Sequence, residues 1–255
     1  MKKPKGIFFD VDGVLKYHDK AMPHAVETIN ELKKKEILIR LITNSTLKSR
    51  VSCAEDLRKY GFDISPAEII TASYATSVYL EEIKPSSCWI MVEGRGIEEF
   101  TNIKHNQNYK DPEYIVVGDN RSKFDFEFLN KVLRLLRNGA KLIGMIPDLI
   151  DCSMGQWELN VGSWAQMLEK ASGVKATYIG KPCRYIFKIA LGSTNLKKED
   201  VIMVGDRVSI DIKGAQDFGI KSVLVKTGEF TRDDLTQGIK PDYVFDSLKE
   251  ISGLL

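Results

Sequence analysis

The sequence predicts an α/β fold: a parallel sheet built from both ends of the chain, with a second αβ module inserted between them. Three observations carry this. Strand-like apolar runs alternate with amphipathic helical runs over residues 6–80, the order that makes βαβ units. The pattern changes character over residues 80–177. It then returns to its first form for the rest of the chain.

Taken in order, "GIFFDV" reads as a strand, and "AVETINELKKKE" (25–36) places apolar residues at helical spacing with a charged back face. "ILIRLIT" (37–43) is a strand, and "LKSRVSCAEDLRKYG" (47–61) a helix closed by Gly61. A short strand around Ile69 and another helix follow. In the middle, "CWIMVEG" and "EYIVVGD" are strands joined by a polar, Asn-rich loop containing His105. "FDFEFLNKVLRLLRNGA" is an amphipathic helix stopped at Gly139, "KLIGMI" a strand, and "PDLIDCSMGQWELNVGSW" irregular and rich in apolar and aromatic residues before the helix "AQMLEKASG". The last part reads "ATYIG" (strand), "PCRYIFKIALG" (helix, Pro182 at its first position), "VIMVGD" (strand), "SIDIKGAQDFG" (helix), "KSVLVKTG" and "DYVF" (strands), and a short terminal helix.

The bulk numbers exclude several classes. At 43% hydrophobic and 28% charged over 255 residues, the chain can bury a sizeable core. Lys and Arg total 37 against 35 acids, so no basic field favours a nucleic-acid polymer. The basic start "MKKPK" is followed by too short an apolar run for a signal peptide, and no run approaches the roughly 20 residues of a membrane span. A cytoplasmic protein without a membrane partner is expected. The four cysteines form no CxxC, so free thiols are expected. Cys183, at a helix start, has the one placement that could lower a thiol pKa and suit a redox role.

The chemistry-bearing residues sit at strand ends. "IFFDVDGV" and "VIMVGDRVSID" are both apolar strands that finish on acids. Ligands of open α/β sheets lie beyond the carboxyl ends of the strands. If both strands are central, Asp10, Asp12 and Asp206 converge there, and Asp211 can join them a turn later. Such a group of hard oxygens suits Mg²⁺, which keeps several waters and takes other ligands from phosphate. Thr43, Asn44 and Ser45 end a third strand just before a helix, a favourable place for an anion. Lys181 follows a fourth and can neutralise a carboxylate. Each piece has a bland alternative. Asp12-Gly13 makes a good hairpin turn, Thr-Asn caps helices, and a lone lysine is usually solvated.

In order, "DVDGV", "TNS", "GKP" and "GDRVSID" resemble the four motifs of the haloacid dehalogenase (HAD) superfamily. The insert is similar to the large α/β cap of its NagD-like branch, most visibly at "VVGDNRSKFDFEFLNKVLRLLRNGAKLIGMIPD". The resemblance implies a Rossmann-like core from residues 1–79 and 178–255 and a specificity-determining cap at 80–177. It implies a phosphatase for small phosphorylated metabolites and an aspartyl-phosphate intermediate. Asp10 would be the nucleophile and Asp12 the general acid/base. Mg²⁺ would be held by Asp10, the Asp12 backbone carbonyl and Asp206, with Asp211 behind them. Gly13, Thr43, Asn44 and Ser45 would bind the phosphoryl group, and Lys181 would stabilise its charge and that of Asp10. Pairing of two copies through the cap is a further implication. The alternatives are a phosphomutase of the same superfamily, and a non-catalytic phospho-ligand-binding or signalling protein.

Related caps commonly show "TNPD" where this chain has Met145-Ile146-Pro147-Asp148. Trp157 and Trp164 are bulky for their positions. They either form an aromatic wall for the leaving group or pack within the cap or an interface.

Overall fold

The computed structural model describes residues 3–104, 109–152, 156–236 and 238–255, so His105 lies outside the described residues. In chain order the first part holds β1 (Gly6–Phe9), β2 (Lys16–Tyr17), β3 (Lys20–Ala21), α1 (Ala25–Lys34), β4 (Leu38–Thr43), α2 (Arg50–Lys59), β5 (Ile69–Thr71) and α3 (Ala72–Ile83). The middle holds β6 (Cys88–Met91), β7 (Tyr114–Val117), α4 (Phe126–Arg137), β8 (Lys141–Gly144), β9 (Ile150–Asp151), β10 (Glu158–Leu159), α5 (Val161–Ser172) and β11 (Ala176–Tyr178). The last part holds α6 (Arg184–Gly192), β12 (Val201–Gly205), α7 (Lys213–Phe218), β13 (Lys221–Val225) and β14 (Tyr243–Phe245).

Two parallel sheets result. The larger runs β14-β13-β12-β1-β4-β5, and the smaller β11-β8-β7-β6. In the larger sheet β1 pairs with β12 on one side and β4 on the other, with Phe9 level with Val204 and Leu41. Strand order reverses at β1, so the crevice beyond its end is where this fold places ligands.

Alternation explains why the sheet forms. Ile7, Phe9, Leu41 and Val204 face a cluster with Ile29, Leu32 and Leu57 of α1 and α2. Phe8, Ile42 and Met203 face the opposite cluster with Ile186 and Phe187 of α6. Both faces are covered, so the strands read as continuous apolar runs instead of alternating ones. Full burial of each such side chain is worth roughly 1.5–3 kcal/mol.

Several local expectations are corrected. The hairpin after β1 is formed by β2 and β3, turning at His18-Asp19, so the bland alternative of a hairpin turn at Asp12-Gly13 does not hold. The strand 176–178 pairs with β8 in the smaller sheet instead of returning to the larger one. Pro182 is not the first residue of α6. It precedes the helix behind a cis Lys181–Pro182 bond, and Cys183 is the N-cap. The helix expected at 209–219 begins as a wide turn with i to i+5 bonding over Val208–Ile212 and becomes α-helical only from Lys213. Residues Leu248–Leu254 form 3₁₀ turns.

Candidate active site

β1 delivers Asp10 as its sheet bonding ends, with the Asp10 N–H donating to Val204 carbonyl at 2.9 Å. Its Oδ1 accepts from Val11 N–H at 2.7 Å and from Lys181 Nζ at 2.6 Å. Among the described residues, nothing donates to Oδ2. β12 delivers Asp206, fully buried. The wide turn after it swings Asp211 back over Gly205, where a Cβ would stand 2.2 Å from the Asp211 Cβ. Wide turns of this kind recur at functional sites. Asp211 Oδ1 then accepts from Lys181 at 2.7 Å, and its Oδ2 from Arg207 N–H at 3.2 Å.

Asp10, Asp206 and Asp211 thus offer carboxylate oxygens within 4.8 Å of one another. Three acids face one ammonium, which leaves two formal negative charges. Asp206 Oδ2 accepts from Glu229 N–H at 2.7 Å, but its buried Oδ1 has no partner. An orphaned buried carboxylate oxygen is costly unless a cation satisfies it. The donor set is all oxygen, as a hard divalent ion requires. The residues present fit a bound divalent metal.

The electrostatics agree. Burial pushes Asp10 up to about 7, with Lys181 opposing and Asp211 adding to the rise. Burial, then Asp10 and Asp211, hold Asp206 well above the usual carboxylate range. Lys181 is held above the usual lysine range because Asp10 and Asp211 outweigh its desolvation.

Asp12 stands differently. It lies at the cleft, its side chain 43% exposed, and its carboxylate pairs with Lys16. Gly13 does not line the cleft. Its N–H donates to the Lys16 carbonyl and its carbonyl accepts from Thr227 Oγ1, both at 2.7 Å. Its φ of +86° and a Cβ position 2.1 Å from Asp206 Oδ2 require glycine. Thr43 lines the cleft, and its Oγ1 accepts from Ser45 N–H at 3.1 Å. The Asn44 side chain is spent on the Lys181 backbone and on Asp148. The cleft is about 300 Å³, closed on its far side by Asp119, Arg121, Asp148 and Asn160 of the inserted module.

This geometry has relatives. Residues 7–104 match the family described as haloacid dehalogenase-like hydrolase, and residues 178–251 the one described as HAD-hydrolase-like. The chain is 34% identical over 242 residues to the human haloacid dehalogenase-like hydrolase domain-containing protein 2, covering 94% of this chain and 91% of that protein. The chain belongs to the haloacid dehalogenase-like hydrolases. Its likeness to the ribonucleotide monophosphatase NagD of Escherichia coli K12 (27% identical over 248 residues, 97% of this chain and 98% of that one) places it in the NagD-like branch. The solved p-nitrophenyl phosphatase from Archaeoglobus fulgidus superposes with a TM-score of 0.91 at 33% identity, covering all of both chains.

Within this HAD core and its α/β cap, two alternatives left open by the sequence are answered on the packing and free-thiol side. No aromatic ring is among the described residues that line the cleft. Trp164 packs in the cap core, its ring 5.2 Å from that of Phe124, and Trp157 is 74% exposed. The Cys183 thiol is pushed up to about 11 by burial, the reverse of an activated cysteine. The structure adds Lys16, Asp148 and Arg207 to the cleft. Asp148 and Arg207 stood inside quoted motifs, but no spacing rule assigns them a partner.

Proposed function

We propose that this phosphatase hydrolyses small phosphomonoesters with Mg²⁺, through an aspartyl-phosphate on Asp10. The observation that carries the reading is the Asp10–Lys181–Asp211 arrangement beside the orphaned Asp206 Oδ1. Asp10 Oδ1 is fixed by two donors, which leaves Oδ2 to attack phosphorus in line. Splitting hydrolysis this way replaces one difficult step by two easier ones. Lys181 neutralises Asp10 before attack and afterwards holds negative charge on the phosphoryl oxygens. Preorganised positive charge of this kind supplies most of phosphoryl-transfer catalysis.

Asp12 faces the leaving-group side of the cleft. It protonates the departing alkoxide and then takes a proton from the attacking water. Thr43 and the backbone that follows it to Ser45 cradle the phosphoryl oxygens. Asp10, the Asp12 carbonyl and Asp206 would hold Mg²⁺, with Asp211 behind them. When bound, the ion supplies two positive charges that offset the acid cluster and the phosphoryl group.

The division into core and specificity cap belongs to the same proposal, with its second boundary moved past Tyr178 because β11 pairs in the smaller sheet, as do a cytoplasmic location and pairing of two copies through the cap. Exposed Ile150 and Leu159, opposite each other on the β9–β10 hairpin, support such pairing. Among the described residues, no helix is long and apolar enough to cross a membrane. A cleft whose described lining residues include no aromatic ring supports sugar-like leaving groups over bases that need stacking.

The test is nitrophenol release from 4-nitrophenyl phosphate by wild type and Asp10→Asn, with Mg²⁺ and with EDTA. Turnover that needs Mg²⁺ and vanishes in the variant is expected. Full activity of purified Asp10→Asn would remove Asp10 from its role.

A further inference from the structure

Lys181 must stand within 2.6 Å of Asp10, yet it is not carried on the sheet that carries Asp10. It lies on the short crossing from β11 of the cap sheet back to α6 of the core. One side chain of the core spans both polar groups of its backbone. Asn44 Oδ1 accepts from Lys181 N–H at 2.8 Å, and Asn44 Nδ2 donates to the Lys181 carbonyl at 3.0 Å. That pair of bonds fixes the lysine backbone only if the amide faces the right way. The same Nδ2 donates to Asp148 Oδ2 at 3.1 Å. An ionised carboxylate only accepts hydrogen bonds. A flipped Asn44 would set its oxygen against both Asp148 and the Lys181 carbonyl, and its NH₂ against the Lys181 N–H.

Asp148 belongs to the cap, four residues after β8, and is 8% exposed. The described partners of its carboxylate lie in the core: Asn44, and Arg207 at 3.7 Å. A buried carboxylate is costly when unpaired, and these partners tie Asp148 of the cap to the core. Elsewhere the cap is fastened to α2, where Arg50 meets Glu99 at 3.2 Å and Ser49 Oγ donates to Glu98 at 2.7 Å.

We propose that Asp148 is a positioning residue: by locking the orientation of Asn44 it sets Lys181 against Asp10, so that cap seating prepares the phosphoryl site. For its catalytic consequence this rests on the phosphatase reading above, but the positioning itself does not.

The test measures amide hydrogen exchange at Lys181 in wild type, Asp148→Ala and Asp148→Asn, with Met203 of β12 as an internal reference. Asp148→Ala is expected to speed Lys181 exchange about tenfold or more while Met203 is unchanged. Asp148→Asn, which can turn its own carbonyl oxygen to Asn44, should keep most of the protection. If Asp148→Ala fails to fold, Asp148→Ser, too short to reach Asn44, takes its place. In turnover of 4-nitrophenyl phosphate, Asp148→Ala should lower kcat more than it changes KM. It should cost little further in an Asn44→Ala background, because both act through one contact. Equal Lys181 exchange in wild type and Asp148→Ala overturns the proposal. Faster exchange in the variant together with no turnover by wild type supports the positioning and overturns the phosphatase reading instead.

Discussion

The Lys181 ammonium stands 2.6 Å from an Asp10 carboxylate oxygen, and both side chains are buried. The same ammonium reaches Asp211 at 2.7 Å. A single cation therefore holds together an acid cluster that would otherwise repel itself.

Replacing that cation should be expensive twice. Lys181→Met keeps the length and removes the charge. Breaking a buried pair by deleting one partner costs about 3–5 kcal/mol. Urea denaturation without metal should show a loss of that order. Turnover of 4-nitrophenyl phosphate at saturating Mg²⁺ should fall about 10²–10³-fold. A variant as stable and active as wild type would deny the lysine both roles.

The acid cluster also sets a pH dependence. Burial raises Asp10 from its ordinary 3.8 to about 7, and Asp206 moves the same way. A raised carboxyl keeps a proton in the folded state that the unfolded chain has lost. Its contribution is therefore present below pH 3.8 and is lost as pH rises toward 7. Metal-free protein should melt at a lower temperature at pH 7.5 than at pH 5.5. Added Mg²⁺ should raise Tm more at the higher pH, since binding stabilises by mass action. A Mg²⁺ effect equal at both pH values would speak against ion binding at this cluster.

Gly13 and Gly173 form a matched pair. Both have positive φ, +86° and +77°, but a Cβ at Gly13 would strike Asp206 Oδ2 at 2.1 Å, while Gly173 faces open space. Gly173→Ala should cost only the backbone strain, about 1 kcal/mol, with kcat unchanged. Gly13→Ala should displace Asp206 as well, with a larger stability loss and a higher Mg²⁺ requirement in a titration of activity. Indistinguishable variants would mean that the close approach to Asp206 is unimportant.

Asp12→Asn separates the two chemical steps. Nitrophenolate departs without needing a proton, but hydrolysis of the aspartyl-phosphate needs a base. Rapid mixing with 4-nitrophenyl phosphate should give a burst of nitrophenol near one equivalent, followed by slow turnover. Steady turnover at the wild-type rate would place the general base elsewhere.

The thiol of Cys183 offers a last check. With its pKa raised to about 11, only about one thiol in a thousand is ionised at pH 8. Raised thiol pKa values cost stability only as pH climbs through 9 toward 11, so no effect is expected near neutrality. Iodoacetamide labelling of native protein, read by peptide mass, should be slow at Cys183 and fast after unfolding. Fast native labelling would restore a redox role.

Sequence alone determined the strand–helix alternation, the inserted module and the candidates Asp10, Asp206, Asp211, Thr43 and Lys181, because apolar periodicity and strand-end polarity are local signals. The larger sheet then needed only β1 between β4 and β12 to gather the acids. Tertiary structure alone decided what each polar group meets. Asn44 looked like a phosphate ligand but spends its side chain on Lys181 and Asp148, 137 and 104 residues away. Strand 176–178 read like a core strand, since a short apolar run does not say which sheet it joins. Sequence left Trp164 open between a cleft wall and the cap core, and it packs on Phe124, because aromatic size does not encode direction. The Asp148–Asn44–Lys181 contact had no spacing to betray it. It exists only where two sheets, folded from separate stretches, come to rest against each other.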